Sequence, residues 1–383
     1  MIKPIESPWA RRRPAAGLSR VVGPLVMLAL LLTVAFATPT SPRASGAEAT
    51  GSARATWIGV TSPGTGPFRG LTAVSRKVAW VGGDNGELWR TTDGGSSWVD
   101  VAPPNSTGLG FRRIVPLEDG RVVLFSRGGV DNPDGEEPSL AARIFVSSNN
   151  GRSWRLAFLN DDPAAFYDCL DMFDDGRHGL AVSDPVEGHV RVIVTADGGR
   201  SWQVAPSTGM PPAVEGEFPF ATGCLRTSGN AQAWFGTGGS AARIFHTTNR
   251  GITWTTTPST IAPDPENGGG VFGLSVRSHD HLLAVGGTFA DFDLGTDASA
   301  YSPDGRIWRA GGDTGGLRFN VSWVPGLRDT AIAGGFNGTD LTRDGGRTWT
   351  TFSSLPYGSV DCASDGVCWG TGEDGTVGRL FLH

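Results

Sequence analysis

The chain has 383 residues, including 57 Gly and 25 Pro, only 18% are charged, and the formal net charge is −6. Gly and Pro at this level, without a triplet period, point to many short strands and turns, and no stretch after residue 50 keeps apolar residues at helical spacing. Beyond the N-terminal segment the balance is acidic with a single lysine, Lys77, which argues against nucleic acid as a partner.

The N-terminus reads as a targeting segment. Arg11, Arg12, Arg13 and Arg20 precede an uncharged apolar run, Val21 to Ala37. Small-residue cleavage sites after Ala37 or Ala47 make residues 1–47 an export signal and cleavage region, with 48–54 a short linker. The expected location is therefore periplasmic, cell-surface or secreted. Retention of the apolar run as a membrane anchor is the alternative, and the only route to a membrane that the sequence offers. Removing 1–47 leaves 26 basic against 37 acidic residues, a net of −11.

From residue 55 onward one phrase recurs: "TTDGGSSW" (91–98), "SSNNGRSW" (147–154), "TADGGRSW" (195–202), "TTNRGITW" (247–254), "SPDGRIW" (302–308) and "TRDGGRTW" (342–349). Its closing tryptophans are 56, 48, 52, 54 and 41 residues apart, a ragged period near 50. A strand-rich repeat of about 40–50 residues marks a propeller blade. The first blade reads as four strands, "FRGLTAVS", "KVAWVGG", "GELWRTT" and "SSWVDVA", and five more follow the same grammar. The final segment supplies only three strands, "YGSVDCAS", "GVCWGTGE" and "TVGRLFLH". "ATWIGVT" (55–61) is the missing fourth. The expectation is an all-β, seven-bladed, sialidase-like β-propeller over residues 55–383, closed by its N-terminal strand, which removes the open sheet edges. A monomer is expected.

Each phrase falls between a blade's third and fourth strands. Asp93, Asn149, Asp197, Asn249, Asp304 and Asp344 are expected to bond backbone groups within the turn, and glycine to supply positive φ. Trp98, Trp154, Trp202, Trp254, Trp308 and Trp349 are expected to pack on a neighbouring sheet. Six equivalent copies indicate scaffolding rather than a catalytic device.

These residues resemble the Asp box of bacterial neuraminidase (BNR) repeat propellers, with Asn149 and Asn249 in the Asp slot and the box at 302–308 one residue short. The first blade also looks like the photosystem II stability/assembly factor family and its non-photosynthetic bacterial relatives, which often carry the label "oxidoreductase". That resemblance implies an exported, seven-bladed, cofactor-free protein that binds partner proteins through an arginine-bearing face.

Cys362 and Cys368 flank the Gly-containing turn "ASDGV" and are expected to pair across a hairpin. Cys169 and Cys224 share a register in successive repeats, either bridging blades or remaining as two buried thiols. No cysteine or histidine spacing suggests a metal site. No GxGxxG opening a helix, CxxCH or redox dithiol supports redox chemistry, so no cofactor is expected.

The long irregular loops fall on one end of such a ring, opposite the boxes: 128–141, 159–165, 207–217, 259–270 and 288–297. The heads of the first strands bring Arg69, Arg112, Arg113, Tyr167, Asp168, Arg318, Asn320 and Tyr357 toward the same rim. Two roles are open for these arginines: clamping a carboxylate, phosphate or acidic peptide, or pairing with Asp168, Asp171 and loop acids to tie blades together. The competing enzyme reading is a sialidase-like glycoside hydrolase with an arginine cluster, a Tyr–Glu nucleophile pair (Tyr167 or Tyr357 with Glu215 or Glu217) and an acid from Asp131 or Asp134. "FRRIVP" (111–116) echoes the FRIP arginine motif with an inserted arginine and in the second blade rather than the first. The non-catalytic binding propeller is the leading reading.

Overall fold

The structure, a computed structural model, describes residues 55–128, 142–220 and 223–382. The proposed export segment and linker, Asp131, Asp134 and most of the 128–141 loop lie outside the described residues.

Strands formed by alternating apolar runs account for nearly all regular structure; the described residues contain no α-helix, only two three-residue 3₁₀ turns. The strands form four-stranded antiparallel meanders, hydrogen-bonded in chain order. We number them as blades I (68–100), II (111–159), III (167–204), IV (225–258), V (269–310), VI (320–353) and VII (359–382). Blade VII has three strands of its own, and Ala55–Gly59 is the fourth, pairing antiparallel with Val377–Leu382 from Ala55 opposite Leu382 to Gly59 opposite Gly378. The innermost strand of each blade packs against that of the next, and that of blade VII returns to blade I. The ring is closed, and the apolar cores of the described residues lie within and between its blades.

Blade IV departs from the expected single first strand. Glu217–Pro219 and Leu225–Ser228 pair separately with the long strand Gln232–Gly239, whose Gly238 also meets Gly270 of blade V. Blades IV and V thereby merge into one nine-stranded sheet.

The repeated phrase builds the same turn each time. Thr91 Oγ1 accepts from the Gly95 amide at 2.9 Å and donates to Asp93 Oδ1 at 2.8 Å. Asp93 also accepts from the Ser97 amide at 2.9 Å and the Ser97 hydroxyl at 2.6 Å. The boxes with Asn keep this geometry by reversing one bond, since Asn149 Nδ2 donates to Ser153 Oγ and Asn249 Nδ2 to Thr253 Oγ1. In the short box Ile307 replaces the second hydroxyl, and Asp304 accepts from the Ser302 hydroxyl and from the Arg306 and Ile307 amides.

Each box is also the joint between blades. Trp154 packs on Trp80 and Leu88 of blade I. Trp202 packs on Val123 and Ile144 of blade II, and Trp254 on Leu180 and Val192 of blade III. Trp308 meets Trp234 of blade IV, Trp349 meets Leu283 of blade V, and Trp98 meets Trp369 of blade VII. The box glycine permits this approach. Gly151 has φ +82, and a Cβ there would sit 2.9 Å from the Trp80 ring. The remaining joint, VI to VII, has no box. Trp57 fills it from the N-terminal strand, packing on Ile332 and Leu341, with its ring 4.7 Å from that of Tyr357 and its Nε1 donating to Thr339 Oγ1 at 2.9 Å.

Cys362 and Cys368 face each other across the blade VII hairpin and are bonded, with a Cα separation of 3.9 Å. Cys169 and Cys224 are bonded as well, joining blade III to the lead-in of blade IV.

Trp57 is 8% exposed and closes the ring. Trp57→Ala should therefore destabilise the protein by about 3–5 kcal/mol. Denaturant titration would measure this; a loss below about 1 kcal/mol would show that the ring closes without that ring contact.

Candidate functional site

The innermost strands begin at the mouth of the channel and end at the boxes. In four of them the pairing register skips one residue: between Phe68 and Gly70, Phe111 and Arg113, Tyr167 and Cys169, and Val271 and Gly273. A bulge of this kind re-aims the extra side chain. The residues so placed are Arg69, Arg112, Asp168 and Phe272.

Arg69 makes a two-pronged pair with Glu373, at 2.5 and 2.6 Å, and lies 3.8 Å from Asp84. Arg112 Nη1 is 2.5 Å from Asp84 Oδ1 and is 3% exposed. Arg127, directly after the second strand of blade II, adds its charge to the same group, and its buried Nε meets no hydrogen-bond acceptor. Burial, then the neighbouring Arg127 charge, pushes Arg112 down to about 9, and burial and Arg69 push Arg127 down. Burial alone would raise the Asp84 carboxyl, but Arg112, Arg69 and Arg127 hold it below the usual range. Burial also opposes the charge of Arg69, yet Glu373 and Asp84 outweigh it and its pKa is raised. Three guanidiniums face three carboxylates here, since Asp168 also acts on Arg127, and the group is densely packed. It can bind an anion by charge-assisted hydrogen bonds.

The other side of the mouth is aromatic. Phe272 stacks on Phe220 at 4.5 Å and meets Phe319 edge-on at 5.4 Å; Phe319 in turn lies 4.2 Å from Phe336. Phe289 touches Phe220, Phe272 and Phe319. Phe220 and Phe272 are buried, whereas Phe289, Phe319 and Phe336 keep part of their surface open. The two halves meet where Gly358, beside Phe336, leads into Ser359, whose hydroxyl donates to the Arg69 carbonyl.

The remaining rim residues are placed elsewhere. Arg113 turns into the channel below the mouth, where Nη2 donates to Asp171 Oδ1 at 2.7 Å. Asp171 also accepts from the Thr227 amide, and Asp361 from the Ala73 amide, so a polar belt ties successive blades. Ser275 and Ser322 hold the equivalent position and accept from the Trp323 and Cys362 amides. Arg226 completes the belt, pushed down to about 10 by burial and Arg113, while burial pushes the Asp361 carboxyl up.

Arg318 is fully buried, clamped by both oxygens of Asp340 and by Asn337; the tie between elements, rather than the ligand clamp, describes it. Asn320, two residues on, is buried as well. Tyr167 is 1% exposed, edge-on to Phe158 in the joint between blades II and III, and burial raises its pKa to about 12. Tyr357 is 3% exposed against Trp57. Neither tyrosine reaches the mouth as expected, because each aromatic ring gains more from the apolar joint beside it. Glu217 is held by Arg243 and Thr237 and Glu215 is exposed, so the Tyr–Glu pair of the hydrolase reading is not assembled.

Asp84, Arg127, Glu373 and the phenylalanines escaped the sequence reading. Asp84 and Arg127 hold one equivalent place, the residue after the second strand, in "VGGD" and "LFSR". Aligning blades by that strand end brings them together. Among the described residues no group of three or more His, Cys, Asp or Glu could hold a metal ion. A cavity of about 210 Å³ lies on the flank of blades III and IV, lined by Val190, Met210 and Trp254.

The fold and the mouth define a β-propeller with an amphipathic opening. No family model matches the sequence, and no curated protein does either. Solved propellers are similar in structure. YCF48 bound to a D1 peptide matches with a TM-score of 0.55 at 14% identity, over 85% of this chain and 94% of that one. YCF48 from Cyanidioschyzon merolae matches at 0.57 and 13%, over 84% and 98%. The GH74 enzyme of Niastella koreensis matches at 0.59 and 16%, over 84% of this chain but only 53% of that one. The likeness is one of fold: a propeller resembling the YCF48 assembly factors.

The boxes have an electrostatic signature of their own. Hydrogen bonds from Ser97 and Thr91 hold the Asp93 carboxyl down to about 2. A depressed folded-state pKa stabilises above the ordinary carboxylate value and is lost as pH falls through about 2. Ser97→Ala should move the Asp93 titration, followed by carboxyl NMR, up toward the ordinary value; an unmoved midpoint would contradict the assignment.

Proposed function

We propose that this chain is an exported, non-catalytic propeller that acts as a binding scaffold for a partner protein. An acidic or C-terminal segment of the partner places its carboxylate against Arg69, Arg112 and Arg127 and its apolar side chains against the phenylalanines. The observation that carries this reading is the state of the cations. Two of three clustered guanidiniums are held below their usual pKa, and one carries a buried Nε–H without an acceptor. A carboxylate at the mouth would meet this group through Arg69, whose side chain is 32% exposed. The half-open rings opposite offer apolar surface to whatever brings that carboxylate. The solved YCF48 propeller with its bound peptide supports a polypeptide as the ligand.

Fluorescence anisotropy with acidic peptides checks the reading. Peptides with a free C-terminal carboxylate should bind more tightly than their amidated forms, and Arg69→Ala should weaken binding about tenfold or more. Equal affinity for both peptide forms, or for both proteins, sinks it. Export is checked by fractionating cells that express the full chain. The expected product lies outside the cytoplasm with an intact mass corresponding to cleavage after Ala37 or Ala47. Uncleaved protein in the cytoplasm rules that part out.

A further inference from the structure

We propose that the box end of the ring is a docking face for an anionic lipid bilayer. The basis is how charge is distributed over the two ends. Among the described residues, every exposed arginine or lysine lies at the box end: in a box, beside the turn between a blade's first and second strands, or directly after a box tryptophan. The other arginines are buried or half-buried, in the channel, at the mouth or along the blades. The mouth end exposes carboxylates, among them Asp161, Glu187, Glu215, Glu266 and Asp291, and no cation, whereas at the box end the exposed carboxylates, Asp93, Glu118, Asp119, Asp174, Asp304 and Asp365, are outnumbered by the exposed arginines and Lys77. A chain that is acidic overall thus gathers its exposed cations at one end.

Two further features select a bilayer over other polyanions. The cations are spread over the turns of successive blades, as Arg152, Arg200, Arg250, Arg306 and Arg347, rather than converging on one point. That distribution suits a laterally extended anion such as a leaflet of phosphatidylglycerol headgroups. At two adjacent turns the tip is isoleucine: Ile252 is 70% exposed and Ile307 is 61% exposed. Each stands next to arginine in space or sequence, Ile252 after Arg250 and Gly251, Ile307 after Arg306. Exposed aliphatic tips ringed by guanidiniums fit the interfacial region, where the chain inserts and the cations stay with the headgroups. The face is independent of whatever the mouth binds, and it leaves the mouth pointing away from the membrane.

Vesicle flotation with residues 55–383, the closed ring without the apolar N-terminal run, tests this. Vesicles containing phosphatidylglycerol should retain the protein, pure phosphatidylcholine should not, and retention should fall as salt is raised to about 0.5 M. Arg306→Glu with Arg309→Glu should lower the partition coefficient about tenfold or more. Ile252→Ser with Ile307→Ser should lower it roughly tenfold at unchanged charge. Glu266→Lys with Asp291→Lys, at the far end, should leave it unchanged. All six positions are at or near the surface, and thermal unfolding verifies that each variant is folded. Equal retention by both lipids, or unaltered binding of the charge-reversed protein, overturns the proposal. So does sedimentation without vesicles that the far-end variant abolishes, which would mean head-to-tail stacking of copies.

Discussion

The structure depends on one recurring contact, an indole from one blade laid on the sheet of the blade before it. A four-stranded sheet has two faces and cannot bury both alone. Seven joints, six served by box tryptophans and one by Trp57, cover each blade on both sides. A tryptophan buries on the order of 150–250 Å², worth about 4–6 kcal/mol at ~25 cal/mol/Å² before conformational cost. No hydrogen bond inside the box approaches that figure. The Thr–Asp–Ser network fixes the turn geometry so that the indole arrives at the right place, and positive-φ glycine keeps the turn from colliding with its neighbour.

Closure through the N-terminal strand follows from the same contact. A ring with an unfilled joint between blades VI and VII would expose Ile332, Leu341 and Tyr357 and leave an unpaired edge on Val377–Leu382. Because the strand that fills it comes from the far end of the sequence, blades I and VII become neighbours. The polar belt in the channel acts at the inner radius where the indoles act at the outer one. Asp171, Ser275, Ser322 and Asp361 each clasp a backbone amide of the next blade. Burying these groups is tolerable only because each has its donor.

The scaffold was legible in the sequence because it repeats. Six copies of Asp or Asn, Gly and Trp, five of them at one fixed offset, reveal turn, strand order and blade period together, and the short C-terminal blade points back to Ala55–Gly59. The mouth was legible only in part. Arg69 and Arg112 follow a phenylalanine at the head of their strands, and the register skip that turns them to the opening is invisible in a one-dimensional pattern. One residue later, Arg113 obeys the regular alternation and enters the channel instead. Arg318 sits beside Phe319 just as Arg112 sits beside Phe111, yet the order is inverted, so phenylalanine takes the mouth and arginine the interior. Tyr167 and Tyr357 were misplaced for the same reason: a residue at a strand head faces either the opening or the joint, and a shift of one position decides which.

Net charge is the weakest summary of such a molecule. A value of −6 for the chain suggests repulsion from any anionic surface, but potential at a surface is set by charges within about a Debye length, roughly 8–10 Å. A closed ring holds its two ends apart by the length of its strands, about five residues at ~3.3 Å each. The box-end cations are therefore screened from most of the mouth-end carboxylates and act locally. The arginines of the mouth sit among acids and are felt only by a ligand that enters. Those at the boxes stand on the outside, where a partner meets them first. One scaffold repeat thus gathers the exposed cations at one end, because its turns carry arginine beside the box Asp while the connecting loops at the other end carry Asp and Glu without an exposed cation.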